Sequence, residues 1–257
     1  MQKKSVIITR PLAQAGEFAR RVEAIGRHPE IFPLLEIHAL VDNSALEAVL
    51  SQLSGFALVA FVSPNAIDAV FRHIHEWPVQ VPIAVMGAGS RAALAAHGVT
   101  DTSYVIISPS NPDRTDSETL LDDLNLEQLS GKQVLIVRGQ SGRELLGDAL
   151  RARSIGVTQI AAYRRDAPAL SEQVRQKFSK LLVQDNDWVV TSTEALKTML
   201  SWAGQVGMPD GVAKMQRQHI IVPHVRIAEN AKLFGFQTIT LTGSGDERLL
   251  VALQSQL

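Results

Sequence analysis

The chain has no cysteine. That removes disulfides, thiolate–metal sites and cysteine nucleophiles, and it is compatible with a reducing compartment. Long apolar runs are missing too. No stretch approaches the roughly 18–20 residues of a membrane span. The apolar run near the N-terminus, in MQKKSVIITRP, is too short for a signal-peptide core and reads as a first buried strand. A cytoplasmic protein that makes no membrane contact is expected. Nor is there an excess charge of one sign. Lys and Arg number 25 against 26 Asp and Glu, a net charge of −1. No global field recruits nucleic acid, so any anion site has to be built locally.

Several catalytic signatures are absent. There is no GxxxxGK[ST] phosphate loop and no HExxH. His73 and His75 stand two apart on a predicted helix, hence on different faces, and make a poor metal pair. No metal site is expected. Gly87-Ala-Gly89-Ser-Arg-Ala92 is a GxGxxA variant after a predicted strand. A dinucleotide site would need an acid at the end of the next strand, and that position holds Ser108–Pro109. A tight turn that lets helix and strand pack closely is the simpler reading.

What is present is a repeat. The stretch KSVIITRPLAQAGEFARRVEAIGRHPEIFPLLEI at 4–37 is echoed by KQVLIVRGQSGRELLGDALRARSIGVTQIAAYRR at 132–165. Each opens with an apolar run ending in arginine, Arg10 and Arg138, and continues through a helical pattern and a Gly into a second β-rich run. Further matches pair FVSPNAIDAVF at 61–71 with VVTSTEALKTML at 189–200, IAVMGAGSRAAL at 83–94 with IIVPHVRIAENA at 220–231, and YVIISPS at 104–110 with ITLTGSG at 239–245. Each half therefore owns five strands, but in different chain order. One half has its first two strands at the start and its other three after residue 185. The other half is inserted between them.

The expected domains are 1–36 with 168–257, and 40–161, with linkers at about 37–39 and 162–167. The two crossings continue equivalent strands and are expected to run side by side. Residues 31–37 should be extended, with Pro33 marking an edge strand or a strand leaving the sheet. The segment SPSNPDRTDSE at 108–118 is the least ordered on composition. Helices are expected from Ser44, from the Ser63–Pro64–Asn65 cap to His75, over 117–126 and over 142–153.

Alternating strands and helices imply parallel sheets with right-handed crossovers, whose ligand groups gather beyond the carboxyl ends of the strands. Here those ends carry small and hydroxyl residues, and the helices after them present free N–H groups. Such rims suit an elongated ligand bearing several carboxylates or phosphates. Arg10 and Arg138 sit at equivalent strand ends. Each either pairs with a nearby carboxylate or clamps an anion. Arg143, one turn into the following helix, points at the same ligand or is simply solvated. Tyr163, one of two tyrosines, either packs the crossing or presents a phenol able to give a proton or a hydrogen bond.

At these residues the chain closely resembles the uroporphyrinogen-III synthase family, the cosynthases of tetrapyrrole biosynthesis. The resemblance rests on VIITRP, FVSPNAI, VMGAGSRAAL, the 134–165 segment VLIVRGQSGRELLGDALRARSIGVTQIAAYRR, and VVTSTEAL, in that order over essentially the whole chain. It implies two flavodoxin-like α/β domains, the second inserted into the first, joined by a two-stranded linker. It implies a cyclising carbon–oxygen lyase that binds linear hydroxymethylbilane between the domains. The enzyme would remove the terminal hydroxyl as water and close the ring with inversion of ring D, by way of an azafulvene and a spiro-pyrrolenine. It implies no cofactor, a monomer, and a substrate handed over by hydroxymethylbilane synthase.

The tyrosine on the family's second linker strand falls on Tyr163, the candidate acid. Ser63, Ser90 and Ser192 match its hydroxyl positions, and Asn65, Gly87, Arg138, Gly139 and Thr193 belong to the same rims, with Arg10 as the companion anion ligand. The chain departs from the family at VPHVRIA, 222–228, where many members have a Gly-Pro-hydroxyl turn. No ligand role is therefore carried over to Pro223, His224 or Arg226. The alternative to the lyase is a non-enzymatic two-domain binder of a small anion. A dinucleotide-dependent oxidoreductase comes third, weakened by Ser108.

Overall fold

The computed structural model describes residues 4–110, 117–142 and 144–255. In chain order the elements are β1 (Ser5–Ile8), α1 (Leu12–Ala24), β2 (His28–Ile31), β3 (Glu36–His38), α2 (Ser44–Leu50), β4 (Leu58–Phe61), α3 (Pro64–Val70), β5 (Ile83–Val85), α4 (Ala88–Ala96) and β6 (Ile106–Ile107). They continue with α5 (Ser117–Asp123), α6 (Leu126–Leu129), β7 (Gln133–Gly139), α7 (Leu145–Arg151), β8 (Gly156–Asp166), α8 (Glu172–Val183), β9 (Asp187–Val189) and α9 (Thr193–Gln205). The last are α10 (Gly211–Arg217), β10 (His219–Val222), α11 (Val225–Leu233), β11 (Thr238–Leu241) and α12 (Asp246–Gln254).

The chain forms two compact units. Unit 1 runs up to Glu36 and resumes at Asp166; unit 2 is Ile37–Arg165. In unit 1 the strand order is β11-β10-β9-β1-β2, all neighbours parallel. In unit 2 it is β3-β8-β7-β4-β5-β6, with every pair from β8 to β6 parallel. Aligning β1 with β7, β2 with β8, and β9, β10, β11 with β4, β5, β6 makes the two five-stranded orders identical. The repeat read from the sequence is thus a repeat of topology, and its order is the flavodoxin-like one.

Both sheets are covered on both faces, which is why their strands are apolar at nearly every position. In unit 1, Ile7, Trp188, Ile220 and Val222 face α8, α9 and α11. Val6, Ile8, Val189 and Ile221 face α1 and α12. In unit 2, Val59, Phe61, Leu135 and Val137 face α2, α3 and α4. Leu58, Ala60, Val134 and Ile136 face α5 and α7. In unit 1, Phe32 stacks on Phe178 at 5.8 Å and meets Trp188 and Trp202 edge-on.

Several expectations change in detail. The extended run 31–37 is split between the two sheets. β2 is the edge of unit 1 and tolerates Pro29 because only β1 needs its hydrogen bonds. Pro33 lies in the gap, and β3 joins unit 2 beside β8. β8 is longer than expected and runs unbroken to Asp166. The helix after Ser63 ends at Val70 rather than His75. The 117–126 helix is two short helices, the second capped by Asn125. Ser44 does not cap α2. Its N–H donates to the Asp42 carboxylate at 2.8 Å, a bond that holds Asp42 below the ordinary aspartate range. Within 108–118, residues 111–116 lie outside the described residues.

Candidate active site

After β4, β5, β9 and β10 a helix cap follows two or three residues beyond the end of the strand. After β4, Ser63 is the N-cap of α3 and its Oγ accepts the Ala66 N–H at 3.2 Å, with Pro64 in the first turn. After β9, Ser192 does the same for α9, accepting from Ala195 N at 3.1 Å. Thr193 and Asn65 are half-buried in the first turns of these two helices. After β5, Gly87 precedes α4 and Ser90 is buried in its first turn. Gly89 does not owe its place to crowding: a Cβ there would meet Pro64 Cγ at 3.8 Å, an ordinary contact. Ser108, where a dinucleotide site would need an acid, accepts from Arg91 Nε at 2.9 Å. After β10, His224 is the N-cap of α11, and its Nδ1 lies 3.3 Å from Ser244 Oγ.

Tyr163 is 4% exposed, and its hydroxyl is 2.9 Å from Ser63 Oγ. Two backbone features bring it there. Arg138 pairs with Ala161 but Gly139 pairs with Tyr163, so Ala162 is an extra residue in β8, a β-bulge. Strict alternation from Gln159 would send Tyr163 to the face of the sheet that α5 and α7 cover. The bulge instead leaves Ala162 and Tyr163 in the same apolar cluster as Phe61, Leu135 and Val137. The second feature is Gly139. A Cβ there would lie 3.0 Å from Tyr163 Cζ and 3.2 Å from its hydroxyl oxygen, so the ring lies flat on a residue with no side chain. The Gln140 N–H closes the arrangement on the Tyr163 carbonyl at 2.8 Å.

Arg138 is not part of this group. It is 8% exposed and lies on the other face of the sheet, where it donates to Glu144 at 2.5 Å and to Gln159 Oε1 at 2.8 Å. Gln159 donates in turn to Glu144 at 2.8 Å. These bonds, Gln159 first and Arg138 second, hold the Glu144 carboxyl below the usual range. A small open cavity of about 310 Å³ lies beside them, lined by Arg138, Glu144, Arg151 and Gln159 among others. Arg10 has the same fate in unit 1. It donates to Asp246 at 2.6 Å and stacks over the Phe18 ring at 4.4 Å. Of the two readings weighed for each arginine, pairing with a nearby carboxylate is the geometry observed. Arg143 lies outside the described residues.

The sequence reading missed Gln159, Glu144 and the bulge at Ala162. Glu144 could have been found as an acid six residues after a buried strand-end arginine. The bulge has no local signal.

Among the described residues, no group of three or more His, Asp or Glu is placed to hold a metal ion, and no helix is long and apolar enough to cross a membrane. The family model for uroporphyrinogen-III synthase HemD matches residues 16–242. The chain belongs to the uroporphyrinogen-III synthase family. It is 30% identical to the uroporphyrinogen-III synthase of Escherichia coli K12 over 264 aligned residues, covering 97% of this chain and all of the relative. Its identity to the Salmonella typhimurium LT2 enzyme is 31%, again over 97% of this chain and all of that one.

Among solved structures, the uroporphyrinogen-III synthetase of Helicobacter pylori 26695 superposes with a TM-score of 0.61 at 14% identity, over 98% of this chain and 99% of that one. A mutant synthase from the extreme thermophile Thermus thermophilus gives 0.59 at 14% identity, over 98% of each chain. Such low identity speaks for the shared fold alone. Family membership rests on the sequence match, which spans both units.

Proposed function

We propose that this chain is a uroporphyrinogen-III synthase, a cyclising hydro-lyase that converts hydroxymethylbilane to uroporphyrinogen III with inversion of ring D. The observation that carries the reading is the Tyr163–Ser63 hydroxyl pair at the carboxyl edge of a parallel sheet, in a chain that belongs to this family over both units. Tyr163 is the acid for the departing hydroxyl. Its proton goes to that oxygen, the C–O electron pair leaves with it, and water departs, leaving an azafulvenium cation (the protonated azafulvene) beside the phenolate. The carbon that closes the ring later loses a proton, which restores the phenol.

An electron-rich pyrrole loses hydroxide with little acid assistance, and unaided closure gives the non-inverted ring. The larger task is therefore to hold a flexible chain in one folded conformation. Backbone N–H groups and hydroxyls at the rims, at Asn65, Gly87, Ser90, Gly139, Ser192 and Thr193, suit the substrate's eight carboxylates. Each charged hydrogen bond contributes about 1.5–3 kcal/mol. Arg138 and Arg10 serve in the same reading by sharing their guanidinium groups between Glu144 or Asp246 and a substrate carboxylate. The absence of cysteine and the balanced charge fit a cytoplasmic monomer that takes its substrate from hydroxymethylbilane synthase.

The test is to supply freshly made hydroxymethylbilane and resolve the oxidised porphyrin isomers by chromatography. Predominantly isomer III is expected. Isomer I alone, formed at the rate of a no-enzyme control, would leave a folded protein that binds anions without this chemistry.

A further inference from the structure

We propose that Ser63 is a positioning residue for the Tyr163 phenol, rather than a direct ligand of the substrate, and that Gly139 and the Ala162 bulge exist to complete that arrangement. The inference rests on the reading of Tyr163 as the acid. Its basis is hydrogen-bond bookkeeping. Ser63 Oγ already accepts the Ala66 N–H, an interaction that cannot reverse because an amide only donates. The Ser63 and Tyr163 hydroxyls have one proton each, and a single O–H···O bond between them at 2.9 Å uses only one.

Two arrangements are open to the pair. If the phenol donates to Ser63, its proton is occupied and cannot reach a leaving group. If Ser63 donates to the phenol oxygen, the phenol proton is free to point away from Ser63, toward the substrate. Only the second is an acid. It also prepares the site for proton transfer, because the bond from Ser63 strengthens when the phenol becomes a phenolate. The amide donated by Ala66 polarises the serine hydroxyl and makes it a better donor. The serine thereby selects which way the phenol proton faces and stabilises the charge left on the oxygen when that proton goes to the departing hydroxyl.

The surroundings constrain the phenol. Tyr163 belongs to the same buried cluster as Phe61, Leu135 and Val137, and its ring lies against Gly139, where a Cβ would come within 3.0 Å. The corresponding serine of unit 1, Ser192, shares the cap bond, but unit 1 contains no tyrosine. Val6 faces Pro29 as Val134 faces Val157, and both partners are 128 residues apart (134 − 6 and 157 − 29). The corresponding stretch of unit 1 after β2 reads Phe-Pro-Leu-Leu, 32–35, with no hydroxyl side chain. Capping therefore explains both serines, but only Ser63 has the second task.

Two measurements test this. With tyrosine labelled at the ring carbon bearing the hydroxyl, the folded protein gives two signals, one per tyrosine, which Tyr104→Phe assigns. Ser63→Ala should move the Tyr163 signal, and Ser63→Thr should leave it close to its original place; this readout needs no activity. In the isomer III assay, Ser63→Ala should lower kcat about tenfold with KM within about twofold, as expected for a lost acid contribution. Ser63→Thr should recover most of that loss. The double variant Ser63→Ala/Tyr163→Phe should be no slower than Tyr163→Phe alone, because the two act through one proton.

An unmoved Tyr163 signal, additive losses in the double variant, or a rise in KM at unchanged kcat would overturn the inference and return Ser63 to direct substrate binding. If the wild-type protein makes no isomer III, the reading of the whole site fails instead. A shifted Tyr163 signal would in that case still leave the Ser63–Tyr163 bond itself established.

Discussion

The two units share one strand order and place their special residues at opposite ends of it. Unit 1 has a buried ionic cluster at the amino edge of its sheet. Arg27, 5% exposed, pairs with Asp187 and also donates to the Leu253 carbonyl at 2.8 Å and the Lys4 carbonyl at 3.2 Å. The His219 ring bridges the other Asp187 oxygen at 2.7 Å and Thr240 at 2.9 Å. One cluster thereby ties β9, β10, β11, α12 and the start of β1. In unit 2 the register carries Asp187 onto Leu58 and Arg27 onto Ile155, both buried and apolar.

At the carboxyl edge the contrast is reversed. Unit 2 has the phenol–serine pair and the bulge, while unit 1 has no tyrosine. The same strand order thus carries two arrangements: unit 1 is fastened by charge at the amino edge of its sheet, and unit 2 is apolar there and has its hydroxyl pair at the carboxyl edge.

The strongest way to break that contrast is to cut the ionic cluster. Asp187→Ala leaves Arg27 buried without its counter-ion and should cost about 3–5 kcal/mol in denaturant unfolding. A loss under about 1 kcal/mol would show that water or neighbouring carbonyls already satisfy Arg27. The same cluster sets an acid limit. Burial opposes the Asp187 charge, but hydrogen bonds from His219 and then Arg27 outweigh it, so its pKa lies below the ordinary aspartate value. The folded carboxyl therefore binds fewer protons than the unfolded one in acid. Its contribution is complete above the unfolded pKa and is lost as pH falls through the folded one. Asp187→Asn should flatten that acid limb in a plot of stability against pH, and a wild-type slope in the variant would assign the limb to other carboxylates.

Gly139→Ala tests the other edge. The added methyl forces the Tyr163 ring to shift by a few tenths of an ångström, which should lower kcat about tenfold while costing about 1 kcal/mol or less of stability. An equal fall in activity and folded fraction would reduce Gly139 to a packing residue. The smallest effect belongs to the caps. Ser192→Ala and Ser63→Ala should each destabilise by about 1 kcal/mol. Unequal costs in thermal melts would mean that the Tyr163 bond adds to folding as well as to chemistry.

Much of this was legible in the sequence. The chain order of the strands, the insertion and the Ser63 cap follow from local patterns: apolar runs, the S-P step, and glycines such as Gly26 and Gly98 at helix ends. The short helix α10 was missed because MPDGVAKMQR reads as a turn. It is held by Gly211, where a Cβ would strike the Ala203 carbonyl oxygen at 2.3 Å, a contact between segments that periodicity does not show. The split of 31–37 between two sheets was half visible in Pro33. The candidate site was legible as a set of residues but not as a grouping. Alternation along β8 puts Tyr163 on the face of Arg138, and only the bulge, a matter of register between two strands, moves it to Ser63. The carboxylates that occupy Arg10 and Arg138 were hidden for the same reason: Asp246 is far off in the chain, and Glu144 needs a turn to fold back.

The central claim is that positioning directs ring inversion while the unit 2 phenol accelerates it. The most direct test compares porphyrin isomers from Tyr163→Phe and wild type on fresh hydroxymethylbilane. Predominantly isomer III from both, with the variant slower by about tenfold to a hundredfold, is the predicted result. A folded Tyr163→Phe protein that yields only isomer I at the uncatalysed rate would contradict it and make the phenol an indispensable proton donor.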